Sequence, residues 1–283
     1  MFGWDFITMI VGYFNGKVSL IQTCNRRDNE DSYTRVMQLQ EILYSQGFGT
    51  RRICAGMIQQ GLVQVYPSKD ALVPLVCTDS AAEYAAEGLR IQVQGVDWSY
   101  HEKAYLMLHK PVATECSQKP STYPSIYTLL PSPLRLRPQK AAVQGVQAVG
   151  RLDQDTSGLL LLTDDGKFIH RMSSPRHHVP KVYEVTVKHA LDEKQLQKLL
   201  AGVVLDDDPK PVKAAAVEAV SEHQLRLTLT EGKYHQVKRM VAAVSNRVEA
   251  LHRSQIGGLR LPDDLAPGQW RWLSQLDLAS IKA

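Results

Sequence analysis

The sequence has few cysteines, and none of them lies in a metal-binding arrangement. Its 4 cysteines are widely spaced and form no Cys-x-x-Cys pair, so they imply neither a zinc site nor a disulfide framework. It also lacks a glycine-rich phosphate loop, an internal repeat and a low-complexity tract. No apolar run is long enough to span a membrane, and the apolar opening lacks the basic residues of a secretory signal. We therefore expect a cytoplasmic protein.

The sequence also has only a small excess of positive over negative charge. The net charge is only +4 in 283 residues, which is too mild to indicate nucleic acid as a partner. Its distribution says more: residues 101–283 hold 25 Lys and Arg against 19 Asp and Glu, whereas residues 37–100 hold 4 against 6. The basic surface therefore belongs to the larger, C-terminal part. Within it, residues 131–140 are basic and contain proline, which predicts a surface loop.

The most informative stretch covers residues 150–166, where Asp153 and Asp155 stand immediately before a short apolar run. Residues 159–162 are all leucine and are followed by polar residues and glycine, which predicts a buried strand and then a turn. An ionised carboxylate beside a core is costly to desolvate unless it is paired, and Arg151 is one candidate partner. From the residues alone, catalytic carboxylates and ordinary turn or cap residues both fit.

Two stretches further along the chain carry other candidates. Residues 231–248 predict an amphipathic helix with a buried stripe of Val237, Met240, Val241 and Val244. Lys238 and Arg239 project from its other faces, where a solvated pair and a functional pair both fit the pattern. Residues 181–187 alternate as a strand with Tyr183 on its apolar face, so periodicity alone makes Tyr183 a core residue.

Residues 37–100 predict two short helices followed by a strand. Thr50 caps the second helix, which places Arg51 and Arg52 in its first turn. The helix dipole disfavours cations there, so an external anion such as an RNA phosphate would complete the site. An exposed arginine pair without a ligand is the alternative.

Taken together, these motifs resemble the pseudouridine synthases, in particular the branch that modifies ribosomal RNA. The string GRLDQDTSGLLLLTDDG meets nearly every fixed position of the pattern G-R-L-D-x-[DN]-[ST]-x-G-L with its T-[DN]-[DN]-G ending. Residues 181–185 match K-x-Y-x-V, and residues 232–240 match G-x-x-x-Q-[VI]-[KR]-R-[ML]. The resemblance implies that Asp153 is the catalytic nucleophile, that Tyr183 lies against the target uracil, and that Lys238 pairs with the aspartate.

The first part of the chain resembles the S-four RNA-binding domain, which is named after a small-subunit ribosomal protein. Residues 39–52 match its pattern L-x-x-[IL]-L-x-x-x-G-x-[GS]-[ST]-R-R. The two resemblances imply an α+β protein with an S-four-like RNA-binding domain in residues 37–100. A pseudouridine synthase catalytic domain follows in residues 101–283, with a mixed, mainly antiparallel sheet and an active-site cleft across it. We interpret residues 1–36 as an unassigned extension, either disordered or the result of a misassigned start codon.

The resemblance implies an isomerase that converts a specific uridine of ribosomal RNA to pseudouridine. Residues 249–268 look most like the branch that acts on small-subunit 16S rRNA. No cofactor or metal is implied; the expected partner is small-subunit rRNA or its assembly precursor, and we expect a monomer. The residues expected to bind RNA are Arg51, Arg52, Arg151, Arg176, His177, His178, Gln236 and Arg239.

Two rival functions remain at this point. A nonenzymatic rRNA-binding or assembly factor would use the same basic surface, although the set of Asp153, Tyr183 and Lys238 argues for an enzyme. The string DQDT at residues 153–156 is also similar to the D-x-D-x-T motif of haloacid-dehalogenase-type phosphatases, which need Mg²⁺. That motif should follow a hydrophobic strand, whereas here the apolar run comes after it.

Overall fold

The structure is a computed structural model, and it describes residues 12–14, 17–19, 35–139, 144–174, 177–206 and 208–281. The chain divides into two compact units, Met1–Thr34 and Arg35–Ala283. In the first unit, strands β1 (Gly12–Phe14) and β2 (Lys17–Ser19) form an antiparallel pair. Most of residues 1–36 lie outside the described residues, so the interpretation of this segment stays a prediction.

The second unit begins with a small α/β part that has a core of its own. Its elements are β3 (Val36–Gln38), α1 (Leu39–Gln46), α2 (Arg51–Gln59), β4 (Val63–Val65), β5 (Leu75–Val76), β6 (Glu83–Ala85), β7 (Arg90–Val93) and β8 (Val96–Ser99). Strands β5, β4, β7 and β8 form an antiparallel sheet in that order, and apolar residues of α1 and α2 share a core with it. Thr50 caps α2 as predicted, because its hydroxyl accepts a 3.3 Å hydrogen bond from the N–H of Ile53.

The rest of the unit consists of helices and of strands, most of which form one large sheet. Its strands are β9 (Tyr105–Lys110), β10 (Gln147–Val149), β11 (Thr156–Thr163), β12 (Lys181–Val187), β13 (Val203–Leu205), β14 (Asp208–Val212), β15 (Ala216–Ser221), β16 (Gln224–Leu229), β17 (Val248–Ile256), β18 (Leu259–Arg260) and β19 (Trp270–Trp272). Its helices are α3 (Ser132–Leu136), α4 (Gly166–Ser173), α5 (Glu193–Ala201), α6 (Gln236–Ala243) and α7 (Gln275–Ser280), with a 3₁₀ turn at Ile126–Leu129.

The main sheet has the order β15-β16-β12-β17-β11-β9-β19, with β10 beside β11 and β18 beside β17. Its neighbouring strands are antiparallel except β11 and β17, which run parallel. The predicted α+β class with a mixed, mainly antiparallel sheet is therefore confirmed. In the described part of the chain no helix has the length and apolar character needed to cross a bilayer.

Strand β11 is buried along nearly its whole length because both of its faces are covered. Leu160 belongs to the core that includes Met240 of α6, whereas Leu161 belongs to the core that includes Phe168 of α4. A strand covered on both sides has a continuous apolar sequence rather than an alternating one. The four leucines thus make β11 a stiff support for the polar turn that precedes it.

The prediction that residues 131–140 form a surface loop is wrong. Residues 132–136 form helix α3, and the side chain of Arg137 after it is only 2% exposed. Leu134 also lies fully within the core. A basic segment with prolines is normally solvated, and the sequence pattern contains no sign of the buried acceptors that Arg137 finds in the fold.

Arg137 joins the small α/β part to the sheet domain through a buried polar network. Its Nε donates to Oδ2 of Asp164 at 2.6 Å, directly after β11. Its Nη1 donates to Oε1 of Gln46, the last residue of α1, at 2.9 Å, and its Nη2 donates to the carbonyl oxygen of His101 at 2.7 Å. These bonds fix α1 against the end of the main sheet because the guanidinium of Arg137 and the side chains of Asp164 and Gln46 are buried.

Replacing Arg137 with methionine should lower the free energy of unfolding by about 3–5 kcal/mol, because the carboxylate of Asp164 would stay buried without its partner. Urea unfolding measures this free energy. The matched change Arg226→Met removes a partly exposed cation that pairs with Glu184 and Glu218, and it should cost less than about 1 kcal/mol. An equally small loss in both variants would contradict a structural role for the buried network.

Candidate active site

Asp153 lies in the short turn that leads into β11. The N–H of Thr156 donates to the carbonyl oxygen of Asp153 at 3.1 Å, and the N–H of Ala113 donates to the carbonyl oxygen of Gln154 at 2.7 Å. Ala113 follows β9 and has a φ of 56°, in the left-handed region that glycine adopts most easily. The backbone on either side of the carboxylate is therefore held by hydrogen bonds rather than left as a free loop.

Lys238 on α6 brings the two distant motifs together. Its Nζ donates to Oδ2 of Asp153 at 3.0 Å and to Oδ1 of Asp155 at 2.6 Å. The guanidinium of Arg151, the partner considered from the sequence, forms no ion pair with Asp153 and is exposed. One cation thus sits between two carboxylates that face the same space.

This arrangement favours the charged forms of Asp155 and Lys238. Burial raises the pKa of Asp155, but the hydrogen bond and the charge of Lys238 outweigh it, so the pKa is lowered overall. Burial likewise lowers the pKa of Lys238, but its bonds to Asp155 and Asp153 outweigh that effect and raise the pKa. The site therefore pairs an ionised Asp155 with the ammonium of Lys238 at neutral pH.

His235 also contacts the carboxylate, and the sequence reasoning missed it. Its Nε2 lies 3.4 Å from Oδ1 of Asp153, and its ring stacks on that of Tyr234 with 3.8 Å between the ring centres. His235 immediately precedes α6 and has a φ of 48°, so helical periodicity cannot show where its side chain points. Its position inside the 232–240 motif was the only available signal.

The carboxylate of Asp153 faces a cleft of about 410 Å³. The apolar part of its lining includes Val149, Leu161, Met172, Tyr183, Leu229, Leu251 and Ile256. Tyr183 is nearly buried; it belongs to the hydrophobic core, as its periodicity predicts, and it also lines the cleft. A cleft lined by both apolar and polar side chains is suited to a flat, polar-edged ligand.

The two arginines at the start of α2 have different environments. Arg51 donates from Nε to Oε1 of Glu41 at 2.6 Å, and its guanidinium lies over the ring of Tyr44 at 4.0 Å. Arg52 is exposed and has no such contact. The carboxylate of Glu41 offsets the unfavourable helix dipole at Arg51. The expectation that an external phosphate completes the site therefore applies fully only to Arg52.

The remaining residues expected to bind RNA are spread over the rim and interior. His177 and His178 are exposed, whereas Arg176 lies outside the described residues. The buried Gln236 donates to Oε1 of Glu231 at 3.0 Å and accepts from the N–H of Lys233 at 2.8 Å, so its amide shapes the loop before α6. Arg239 donates to the carbonyl oxygen of Tyr234 at 3.2 Å.

The phosphatase alternative loses its structural context. Strand β10 ends at Val149 and residues 150–152 separate it from Asp153, whereas the D-x-D-x-T motif needs a strand that leads directly into its first aspartate. The position of the motif's threonine is held by Ser157. The described residues contain no group of three or more His, Cys, Asp and Glu side chains that could hold a metal ion.

Comparison with known proteins finds the same family. Residues 104–243 match the profile of the RNA pseudouridylate synthases. The protein named ribosomal small subunit pseudouridine synthase A in Yersinia pestis is 44% identical over 179 residues, 63% of this chain and 73% of that protein. Its namesake in Escherichia coli K12 is 42% identical over 181 residues, 64% of this chain and 75% of that protein.

Two comparisons extend over more of the chain. The namesake in Vibrio cholerae is 35% identical over 226 residues, which cover 80% of this chain and 94% of that protein. A solved structure described as the crystal structure of pseudouridylate synthase has a TM-score of 0.58 and 32% identity, and it covers 87% of this chain and 99% of that chain.

Replacing Lys238 with methionine should raise the pKa of Asp155, because the cation that holds this carboxylate charged is removed. NMR titration of the carboxyl carbons measures the change. In the wild type, the pair stabilises the fold at neutral pH, and this contribution is lost as the pH falls through the lowered pKa of Asp155. Lys198→Met on the exposed side of α5 is the control. An unchanged pKa of Asp155 in the Lys238 variant would contradict the ion pair.

Proposed function

Because this chain belongs to the RNA pseudouridylate synthase family, we propose that it converts a uridine of small-subunit ribosomal RNA to pseudouridine with Asp153 as its nucleophile. The observation that carries the proposal is the ammonium of Lys238 held between Asp153 and Asp155 at the edge of the cleft. The chain covers 73% to 94% of the small-subunit enzymes described above, and it is 35% to 44% identical to them.

The reaction makes three demands on the site. The bond between N1 of uracil and C1′ of ribose must break, the free ring must turn inside the site, and C5 must replace N1 on the sugar. Lys238 holds the carboxylate of Asp153 in place with an ammonium 3.0 Å from its Oδ2, and His235 supplies a second polar contact to the same carboxylate.

Tyr183 is suited to the second of these steps, in which the free ring turns inside the site. Its ring belongs to the apolar wall, where it can lie against the face of the uracil and retain the ring after the glycosidic bond has broken. Its hydroxyl is a candidate for assisting removal of the C5 proton. The volume of the cleft, about 410 Å³, leaves space for the ring to rotate beside this wall.

A base that is stacked in RNA cannot reach Asp153, so the target nucleotide must be turned out of its strand. The exposed cations Arg52 and Arg151, together with His177 and His178, provide contacts for the flanking phosphates. We place the enzyme in the cytoplasm, where ribosomal subunits are assembled, and we take it to act as a monomer.

Asp153→Asn should reduce isomerisation by at least about 10³-fold, because the amide keeps the shape of the side chain and loses its charge and nucleophilicity. RNA affinity should change little. Single-turnover pseudouridine formation on a small-subunit rRNA fragment and a binding titration measure the two quantities. The exposed Asp263→Asn is the matched control. Product formation at the wild-type rate by the Asp153 variant would remove this residue from the mechanism, and binding without turnover by the wild type would favour a nonenzymatic RNA-binding factor.

Arg52→Ala should weaken RNA binding and reduce the slope of log K against log salt by about 0.7 to 0.9, the value for one lost phosphate contact. Arg51→Ala should change the slope less, because Glu41 already pairs with Arg51. Titrations at several salt concentrations test both. Equal slopes for the wild type and the Arg52 variant would show that Arg52 is solvated surface.

A further inference from the structure

Arg253 lies at the centre of the main sheet and faces the cleft. On β17 it stands opposite Gly158 of β11 on one side and Tyr183 of β12 on the other. A Cβ on Gly158, whose φ is 112°, would lie 2.3 Å from the carbonyl oxygen of Arg253, so only glycine permits this approach of the strands. The close packing of β11 and β17 therefore fixes the position of Arg253.

The guanidinium of Arg253 is only partly satisfied by the protein. The residue is 3% exposed, and its Nε donates to the carbonyl oxygen of Leu159 at 2.8 Å. Its Nη2 has no hydrogen-bond partner, and among the described residues no carboxylate forms an ion pair with it. A buried guanidinium without an anion is costly, in contrast to Arg137, whose three nitrogens all donate to acceptors within the protein.

The neighbours of Arg253 on the cleft wall increase the surplus of donors. The hydroxyl of Thr156 is buried and also has no partner. Lys181, which lines the same cleft, donates to the carbonyl oxygen of Val179 at 2.9 Å, and burial together with the charge of Arg253 lowers its pKa. This part of the cleft thus presents several hydrogen-bond donors and an unneutralised positive charge.

We infer that Arg253 is a further catalytic residue, whose guanidinium donates to a carbonyl oxygen of the target uracil and stabilises negative charge on the ring. The inference rests on the proposed isomerisation. When the carboxylate of Asp153 bonds to C1′ and the N1–C1′ bond breaks, the electron pair of that bond remains on the ring and is shared by N1, O2 and O4. A ring electron pair then forms the C5–C1′ bond as the carboxylate of Asp153 leaves C1′, the C5 proton leaves to a base, and N1 takes a proton. A fixed guanidinium stabilises the anion between these two steps.

The surroundings of Arg253 favour a base over a phosphate as the acceptor. Its side chain is buried and lines the same cleft as the apolar Leu161 and Ile256, which suits a flat ring. A phosphate carries a ribose on each side and is better placed at the exposed rim, where Arg151 lies. Arg253 therefore differs from the rim cations both in depth and in the ligand atom it would contact.

A chemical double-mutant cycle tests the contact. Wild type and Arg253→Lys are compared in single-turnover pseudouridine formation on RNAs that carry uridine, 2-thiouridine or 4-thiouridine at the target, since sulfur is a weaker acceptor than oxygen. On uridine the variant should be slower by about 10²-fold, the effect of removing one donor aimed at developing charge. On the thio substrate altered at the contacted carbonyl, the penalty should shrink to below about 10-fold.

The controls separate the alternatives. Arg226→Lys, in the same sheet but outside the cleft, should behave as wild type with all three RNAs. Arg253→Met should lose activity without a fall in thermal midpoint, because it removes a buried charge that has no partner.

An equal penalty on all three RNAs, or a midpoint that falls together with activity, would overturn the inference in favour of a structural arginine. A flatter salt dependence of RNA binding in Arg253→Lys would also overturn it, in favour of a phosphate contact. Wild-type turnover on uridine tests the proposed function separately.

Discussion

The ammonium of Lys238 between two carboxylates is the interaction on which the site depends. Asp153 and Asp155 precede one strand and Lys238 lies on a helix more than eighty residues later, so only the folded sheet brings them within 3.0 Å. Both carboxylates accept from the same ammonium, so the position of α6 and that of the turn before β11 depend on each other. Asp153, held in this way, faces the cleft.

The sheet supplies the rigidity that this arrangement needs. Strand β11 is covered on both faces, so the turn that carries Asp153 starts from a fixed point, and Gly158 allows β17 to approach closely enough to place Arg253 beside it. At the far end of β11, Asp164 and Arg137 connect the same strand to helix α1 of the small α/β part. One strand therefore positions the reacting carboxylate and also links it to the proposed RNA-binding surface.

The sequence predicted the elements whose patterns are local. Four consecutive leucines indicated β11, the apolar stripe indicated α6, and the cap at Thr50 indicated α2, because each depends on neighbouring residues. The partners of Arg137 and Arg51, the contact of His235 with Asp153, and the unpaired Nη2 of Arg253 depend on residues that meet only in three dimensions. Propensity treats a basic side chain as solvated and cannot tell which one the fold will bury. The family resemblance supplied the pair of Asp153 and Lys238, which periodicity alone left open.

The central claim is that this chain modifies small-subunit ribosomal RNA through Asp153, the carboxylate with which Lys238 pairs. Mapping pseudouridines in the ribosomal RNA of a deletion strain, complemented with the wild-type gene or with Lys238→Met, tests it most directly. We predict that the deletion removes a pseudouridine from small-subunit rRNA, that the wild type restores it, and that the methionine variant does not. An unchanged pseudouridine map in the deletion strain, or full restoration by Lys238→Met, would contradict the account.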